Sequence, residues 1–370
     1  MFGEHHTECD GYFAVFDAGH HTECDGYFAV FVAGHHTECD GCFAVFDADH
    51  HTECDGYFEV LIGFGVMRHV ITLWEMTAAE IERIFAISQD LKSKLQQGLR
   101  EPLLAGRVAG LLFEKPSLRT RVSFETGMAQ LGGSSLFLGA DVGWGERESI
   151  ADFTQVLSQY VDVIVCRAKT HRRVEELAEH ATCPVINGLT DLAHPCQALA
   201  DLFTLREVYG DVRGRTLAYV GDANNVARSL LLACAKLGVR FAIASPAGYE
   251  FDSSYVARVK KEIPGAAVLQ TRDPVEAVRA ADAVYTDVWA SMGQEAEKAI
   301  RSKALAGYQV NETLMKQAPA GARFLHCLPA HRGEEVTGGV IDGPQSDVIQ
   351  QAANRMHVQK GLLVWLLTEA

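Results

Sequence analysis

No lysine or arginine occurs before Arg68, and no stretch approaches the roughly 20 consecutive apolar residues that a bilayer-spanning helix needs. The first absence removes the basic region of a secretory signal, and the two together place the chain in the cytoplasm with no membrane partner. Paired cysteine spacing is also missing from most of the chain. Cys166, Cys183, Cys196, Cys234 and Cys327 are scattered, so reduced thiols are expected in place of a disulfide framework. Excess charge proves local as well. The formal charge is −15, but residues 1–66 hold 13 Asp and Glu, and the 35 acidic residues beyond them face 33 Lys and Arg, leaving −2. A nearly neutral body lacks the footprint of a nucleic-acid partner. What remains is a globular composition, 48% hydrophobic and 22% charged, over 370 residues, enough for two α/β domains and an extra segment.

The extra segment is a repeat. His-His-Thr-Glu-Cys-Asp-Gly begins at His5, His20, His35 and His50, a period that matches no solenoid unit. Its His, Cys and carboxylates are ordinary zinc or copper ligands, but neither their spacing nor their flanks resemble a closed zinc site. Residues 1–66 are therefore expected to be a disordered tail of tandem 15-residue copies, with Met67 as a plausible start, and their deletion is expected to leave activity intact.

From Trp74 onward helix-period and strand-like segments alternate. A helix is expected over 78–97, capped near Thr77, followed by strand 108–113, which stops at Glu114-Lys115-Pro116-Ser117. Helix 150–160, strand 161–166, helix 173–180 and strand 184–186 follow. A second set comprises strand 216–220, helix 225–237, strand 240–244 and strands at 283–285 and 323–325. Such alternation implies parallel sheets covered by helices. Helix 197–209 reads as a bridge between two α/β domains, 67–210 and 211–345, and the terminal helix 346–367, within a segment 346–370, as a second bridge. Ligands of open parallel sheets collect at the carboxyl ends of strands, where the polar clusters fall.

Ser117-Leu118-Arg119-Thr120-Arg121 follows a strand and opens a helix. Backbone N–H groups, two hydroxyls and a guanidinium there make a receptor for a phosphate dianion, although a capped helix with solvated arginines would look the same. Residues two apart do not share a helix face, so Arg119 is assigned to the anion and Arg121 to structure. His194-Pro195-Cys196-Gln197 precedes the bridging helix. Its imidazole can donate to a carbonyl that becomes an oxyanion and its amide can orient a neighbouring NH2 group, while a plain helix cap is the alternative for His194. Arg167, at the end of a strand, adds positive charge. In the second half stand Asn225, Asp287 with Ser291-Met292-Gly293, and His326-Cys327-Leu328-Pro329. Gly221 follows a strand, but Ala223 and Val226 occupy positions where G-x-G-x-x-G needs glycine, so no dinucleotide site is expected. An amide, a carboxylate and a thiol suit an amino acid carrying a second amine.

Ser-x-Arg-Thr-Arg, His-Pro-Cys-Gln, Asp-Val-Trp-Ala-Ser-Met-Gly and His-Cys-Leu-Pro occur in that order, and nearly all of 67–370 resembles the aspartate/ornithine carbamoyltransferase family on its ornithine branch. The resemblance implies that Ser117, Leu118, Arg119, Thr120, Arg167, His194, Pro195, Cys196, Gln197, Cys327, Leu328 and Arg355 surround carbamoyl phosphate. It implies that Asn225, Asp287, Ser291 and Met292 hold L-ornithine, that Arg119, His194, Asp287 and Cys327 carry the chemistry, that no metal or cofactor is needed, and that the protein is a homotrimer. Two departures stand out. Leu118 replaces the family's usual Thr, and Gly143 replaces a Gln that serves a neighbouring subunit, with Arg147 or Trp144 as candidate substitutes. A carbamoyltransferase for N-acetylornithine, putrescine or aspartate, a non-catalytic binding protein of the same fold, and a metal-binding repeat fused to an enzyme remain the rivals.

Overall fold

The computed structural model describes residues 28–30, 44–46, 67–290 and 295–369. Met1–Met67 and Arg68–Ala370 are separate units. In the first, β1 (Phe28–Val30) and β2 (Ala44–Phe46) pair antiparallel, bringing Phe28 opposite Phe46 from the next copy of the repeat. Each Phe-Ala-Val-Phe segment has the β-branched and aromatic content of a strand. The rest of the expected tail and its His and Cys ligand sets lie outside the described residues.

The second unit contains two parallel sheets. The first holds β3 (Val108–Phe113), β4 (Ser134–Leu138), β5 (Val163–Arg167) and β6 (Val185–Leu189) in the order β4-β3-β5-β6. The second holds β7 (Thr216–Val220), β8 (Arg240–Ala244), β9 (Val268–Thr271), β10 (Ala283–Thr286) and β11 (Arg323–His326) in the order β11-β10-β7-β8-β9. Every residue of β5, β7 and β10 is buried, as strands covered on both faces must be, which is why they read as continuous apolar runs. Both sheets set strand register with an aspartate. Asp162 accepts from the Val108 N–H at 2.7 Å and from Arg107 at 2.9 Å, and Asp282 accepts from the Thr216 N–H and from Arg215, each at 2.8 Å.

The chain reverses direction across each sheet between neighbouring strands, β3 and β5 in one and β7 and β10 in the other. Such switch points open a crevice at the carboxyl ends of the strands.

The helices of the first sheet are α1 (Ala78–Gln96), α2 (Leu118–Gln130), α3 (Ile150–Leu157) and α4 (His171–His180). A reciprocal Thr77–Glu80 capping box starts α1. Next comes α5 (Pro195–Tyr209), whose residues from Pro195 to Leu205 are all buried, so that stretch has no solvent face and no polar stripe. Around the second sheet lie α6 (Asn225–Lys236), α7 (Ser253–Glu262), α8 (Pro274–Val278), α9 (Lys298–Leu305), α10 (Glu312–Met315) and α11 (Gly338–Ile341).

The last helix, α12 (Val348–Thr368), packs on α1, α2 and α5 and touches β11. Its approach to α1 requires glycine, since a Cβ at Gly361 would lie 2.6 Å from the Ile84 carbonyl oxygen. Both long helices thus link the sheets. Direct stitches add to this: the His194 N–H donates to Ser229 Oγ at 2.8 Å and Asn225 Nδ2 donates to the Thr190 carbonyl at 2.6 Å.

Several boundaries differ from the sequence reading. The strand expected at 161–166 begins two residues later because Asp162 is engaged in its register bond. The strand expected at 184–186 runs on through Asn187 and Gly188, whose turn-like composition is overridden by burial, with Asn187 Nδ2 donating to the Ile71 carbonyl at 2.9 Å. β4 and β9 are half-exposed edge strands without a clean alternation, and they escaped notice for that reason.

Candidate active site

β3 delivers the chain to Ser117, which caps α2 by accepting from the Thr120 N–H at 3.4 Å and donates its own hydroxyl to Thr120 Oγ1 at 3.0 Å. Thr120 is wholly buried. Its hydroxyl oxygen also accepts from Arg355 on α12 at 2.9 Å and from Arg167, at the end of β5, at 3.4 Å. Among the described residues neither guanidinium, nor that of Arg119, forms an ion pair, and the Nε of all three is buried without a hydrogen-bond partner. Burial, Arg355 and Arg119 push Arg167 down to about 10, and burial lowers Arg355 as well. Cations crowded at a helix N-terminus with unused donors form a receptor for an oxyanion. Arg121 turns away, bonding Glu125 at 2.9 Å and stacking on Phe137 at 3.8 Å. Leu118 is 76% exposed.

His194, Pro195, Cys196 and Gln197 form the first turn of α5, all buried. Burial, then Arg355 and Arg167, hold the His194 imidazole well below its usual range, so it is neutral, and its Nδ1 makes no hydrogen bond within the protein. Burial also pushes the Cys196 thiol up to about 12. Gln197 donates through Nε2 to Asp201 Oδ1 at 2.7 Å and leaves its Oε1 buried and unpartnered. Asp201 lies fully buried inside α5. Burial raises it to about 7 against hydrogen bonds from Gln351, Gln197 and Tyr285.

The second sheet supplies the other half. Asn224 caps α6 by accepting from the N–H groups of Val226 and Ala227, each at 3.0 Å, and donates through Nδ2 to Asp287 Oδ2 at 2.8 Å. Cys327 Sγ donates to Asp287 Oδ1 at 2.9 Å. Burial, with the charge and hydrogen bond of Asp287, raises Cys327 well above the usual thiol range. It is therefore a protonated thiol facing a carboxylate.

Leu328 follows in the left-handed conformation, φ 54°, ahead of a cis Leu328–Pro329 bond. The left-handed φ costs a leucine roughly 1–2 kcal/mol. Its N–H donates to His326 Nδ1 at 2.9 Å, so the proton of the neutral ring sits on Nε2, which faces Glu335 at 3.2 Å. Burial opposes a charge on Glu335, but hydrogen bonds from His326 and the His331 N–H outweigh it and lower its pKa. Arg301 steadies the same edge, donating to the Trp289 carbonyl at 2.5 Å and pairing with Asp222.

Two groups of described residues could converge on a metal ion, Asp287 with His326 and Cys327, and His331 with Glu334 and Glu335. Their donor atoms are largely committed, to Leu328, Asp287, His326 and, through Glu334, Lys298 at 2.8 Å.

The structure brings Ser117, Arg119, Thr120, Arg167, His194, Cys327 and Arg355 into one electrostatic neighbourhood, and Gln197 joins it through Asp201. Asn225 donates to the Thr190 carbonyl, and its neighbour Asn224 is the amide that touches Asp287. Ser291 and Met292 lie outside the described residues. In the Gly143 turn, φ 64°, Trp144 is corrected as a candidate substitute. It is 2% exposed, packed against Phe153 and under the Arg173 guanidinium, with its carbonyl accepting from Arg173 at 2.7 Å. Arg147 is exposed. Sequence reasoning missed Asn224, Asp201, Gln351, Arg301 and Glu335. Of these only Asp201 carried a signal, the one charged residue between Pro195 and Leu205 of α5.

Comparisons with known proteins place both halves of the chain in one family. Residues 68–207 match the family model for the aspartate/ornithine carbamoyltransferase carbamoyl-P binding domain, and residues 213–366 match that for the Asp/Orn binding domain. The chain is 55% identical over 300 residues to ornithine carbamoyltransferase of Anoxybacillus flavithermus, covering 80% of this chain and 96% of that protein. It is 50% identical over 303 residues to the Bacillus subtilis enzyme of that name, covering 81% and 94%. Among solved structures, ornithine carbamoyltransferase from Pyrococcus furiosus superimposes with a TM-score of 0.79 at 48% identity, covering 82% of this chain and 98% of that one. Matched along both sheets and both linking helices, the chain belongs to the aspartate/ornithine carbamoyltransferase family.

Proposed function

We propose that the protein transfers the carbamoyl group of carbamoyl phosphate to the δ-amine of L-ornithine, giving L-citrulline and phosphate. The observation that carries this reading is the cluster of three unpaired guanidiniums around Thr120, in the electrostatic neighbourhood of the Cys327 thiol that faces Asp287. Ser117, the Leu118 and Thr120 N–H groups, Arg119 and Arg167 hold the phosphate. Arg355 and His194 hold the carbamoyl oxygen, and the Gln197 oxygen accepts from the carbamoyl NH2, beside Pro195, Cys196 and Leu328. Asp287 and Cys327, with Asn225, Ser291 and Met292, hold ornithine.

The neutral amine attacks the carbamoyl carbon, forming a C–N bond, the bond between that carbon and the phosphate oxygen breaks with its electron pair leaving on phosphate, and the amine's surplus proton passes to the departing phosphate. As the carbonyl oxygen gains charge, His194 donates to it as a neutral imidazole, and the fixed guanidiniums stabilise it without reorganising. Because Cys327 keeps its proton, Asp287 is the group that binds the amine and tunes its proton affinity, with the thiol aiming the carboxylate.

The working protein is read as a cytoplasmic homotrimer acting in arginine biosynthesis or in the reverse, catabolic direction. Its carbamoyl-phosphate domain is 67–210, its ornithine domain 211–345, and segment 346–370 packs back on the first. Among the described residues no helix is long and apolar enough to cross a membrane. The test is citrulline formation from carbamoyl phosphate and ornithine, run beside N-acetylornithine, putrescine and aspartate. Preference for any of those three, or no product, overturns the reading.

A further inference from the structure

Behind the first turn of α5, buried polar groups run from the end of β11 through α12 to α5. The His326 backbone N–H, at the end of β11, donates to Gln351 Oε1 at 2.9 Å. Gln351 Nε2 donates to Asp201 Oδ1 at 2.6 Å and lies 3.3 Å from the Tyr285 hydroxyl. Gln197 Nε2 donates to the same Asp201 oxygen at 2.7 Å. Gln197, Asp201 and Gln351 are at most 1% exposed.

The polarity of this chain of bonds is fixed at its start. A backbone N–H can only donate, so Gln351 must present its oxygen to His326 and its NH2 to Asp201. Oδ1 of Asp201 then accepts from both sides, so Gln197 must present its NH2 as well. The Gln197 oxygen, buried and without a partner in the protein, is left as an acceptor. A reversed amide would set NH2 against the NH2 of a carbamoyl group and leave a buried donor unsatisfied.

We infer that Asp201 and Gln351 are positioning residues that dictate the direction of the Gln197 amide and so select the carbamoyl NH2 over other substituents on a bound phosphate. The inference rests on the proposed function. It holds whether Asp201 is ionised or protonated, because a proton on Oδ2, which has no partner, leaves Oδ1 free to accept. Asparagine keeps the same acceptor and so preserves the direction, whereas leucine removes it.

The experiment compares wild type with Asp201→Leu, Asp201→Asn and Gln351→Met for binding of carbamoyl phosphate and of inorganic phosphate, and for KM of each substrate. Carbamoyl phosphate affinity should fall about tenfold in Asp201→Leu, the size of one lost hydrogen bond, with phosphate affinity and ornithine KM unchanged. Asp201→Asn should stay within about threefold of wild type, and Gln351→Met should repeat the selective loss if Asp201→Leu does not fold. Equal weakening of both anions, no weakening of either, or an asparagine variant as poor as the leucine one overturns the inference. Failure of the wild-type protein to bind carbamoyl phosphate is a separate result, which rejects the functional reading itself.

Discussion

Replacing His194 with alanine isolates the oxyanion contribution. The ring is 4% exposed and neutral, held below its usual range by burial and by Arg355 and Arg167. Removing one preorganised donor to a developing oxyanion lowers turnover by about 10²–10³. Here two guanidiniums remain beside the vacated position, so the expected loss lies at the lower end, about 100-fold, or about 2.7 kcal/mol. On the proposed reading ornithine is held through Asp287 and Cys327, to which the ring makes no hydrogen bond, so KM for ornithine should stay within about twofold. Steady-state citrulline assays from pH 6 to 9 read both quantities. Because the folded imidazole titrates well below 6.5, wild-type kcat should show no inflection near that value attributable to His194. Unchanged turnover in the variant, or a loss carried wholly by ornithine KM, refutes the assignment.

Cys327 should resist alkylation at neutral pH, with the iodoacetamide rate still climbing beyond pH 9 because burial and Asp287 suppress the thiolate; a plateau below pH 8 contradicts this. Cys327→Ser keeps the donor to Asp287 and should retain most activity, whereas Cys327→Ala should cost about tenfold in kcat/KM for ornithine, the scale of one lost hydrogen bond. His357 on α12 is held at about 4 by burial and then by Lys92 and Lys360, against 6.5 when free. The unfolded chain therefore binds its proton first, and this stabilisation, present above pH 6.5, is lost as pH falls from 6.5 to 4, by up to about 3 kcal/mol. The urea midpoint of His357→Gln should vary less over that window, and an unaltered slope would falsify the claim.

Elements whose burial is one-sided or complete were legible in the sequence. The capping box opens α1 where Thr77 and Glu80 place it, and β3, β7 and β8 begin and end where their apolar runs do. The half-exposed strands β4 and β9 were not, because they carry neither a continuous apolar run nor a clean alternation. The anion cluster was readable because Ser117 to Thr120 are contiguous and local capping geometry dictates their direction. Arg355 came only from family resemblance, since nothing in a helical stretch near the C-terminus announces a partner in Thr120, 235 residues away. Asn224, which caps α6 and reaches Asp287, carried no signal of its own beside Asn225. The two amides are adjacent, and which one caps the helix and which spans to Thr190 is decided by tertiary packing, not by propensity.

Each sheet contributes its half of the crevice from its own switch point, and the two meet only through buried helices and a few stitches. That separation lets the recipient of the carbamoyl group be retargeted by exchanging the three loops after β7, β10 and β11, while the anion grip after β3 and β5 stays untouched. The limit on such exchange is His326, because its backbone N–H also begins the polar chain that ends at Gln197. A graft that displaces that one peptide would alter the donor half as well as the recipient half.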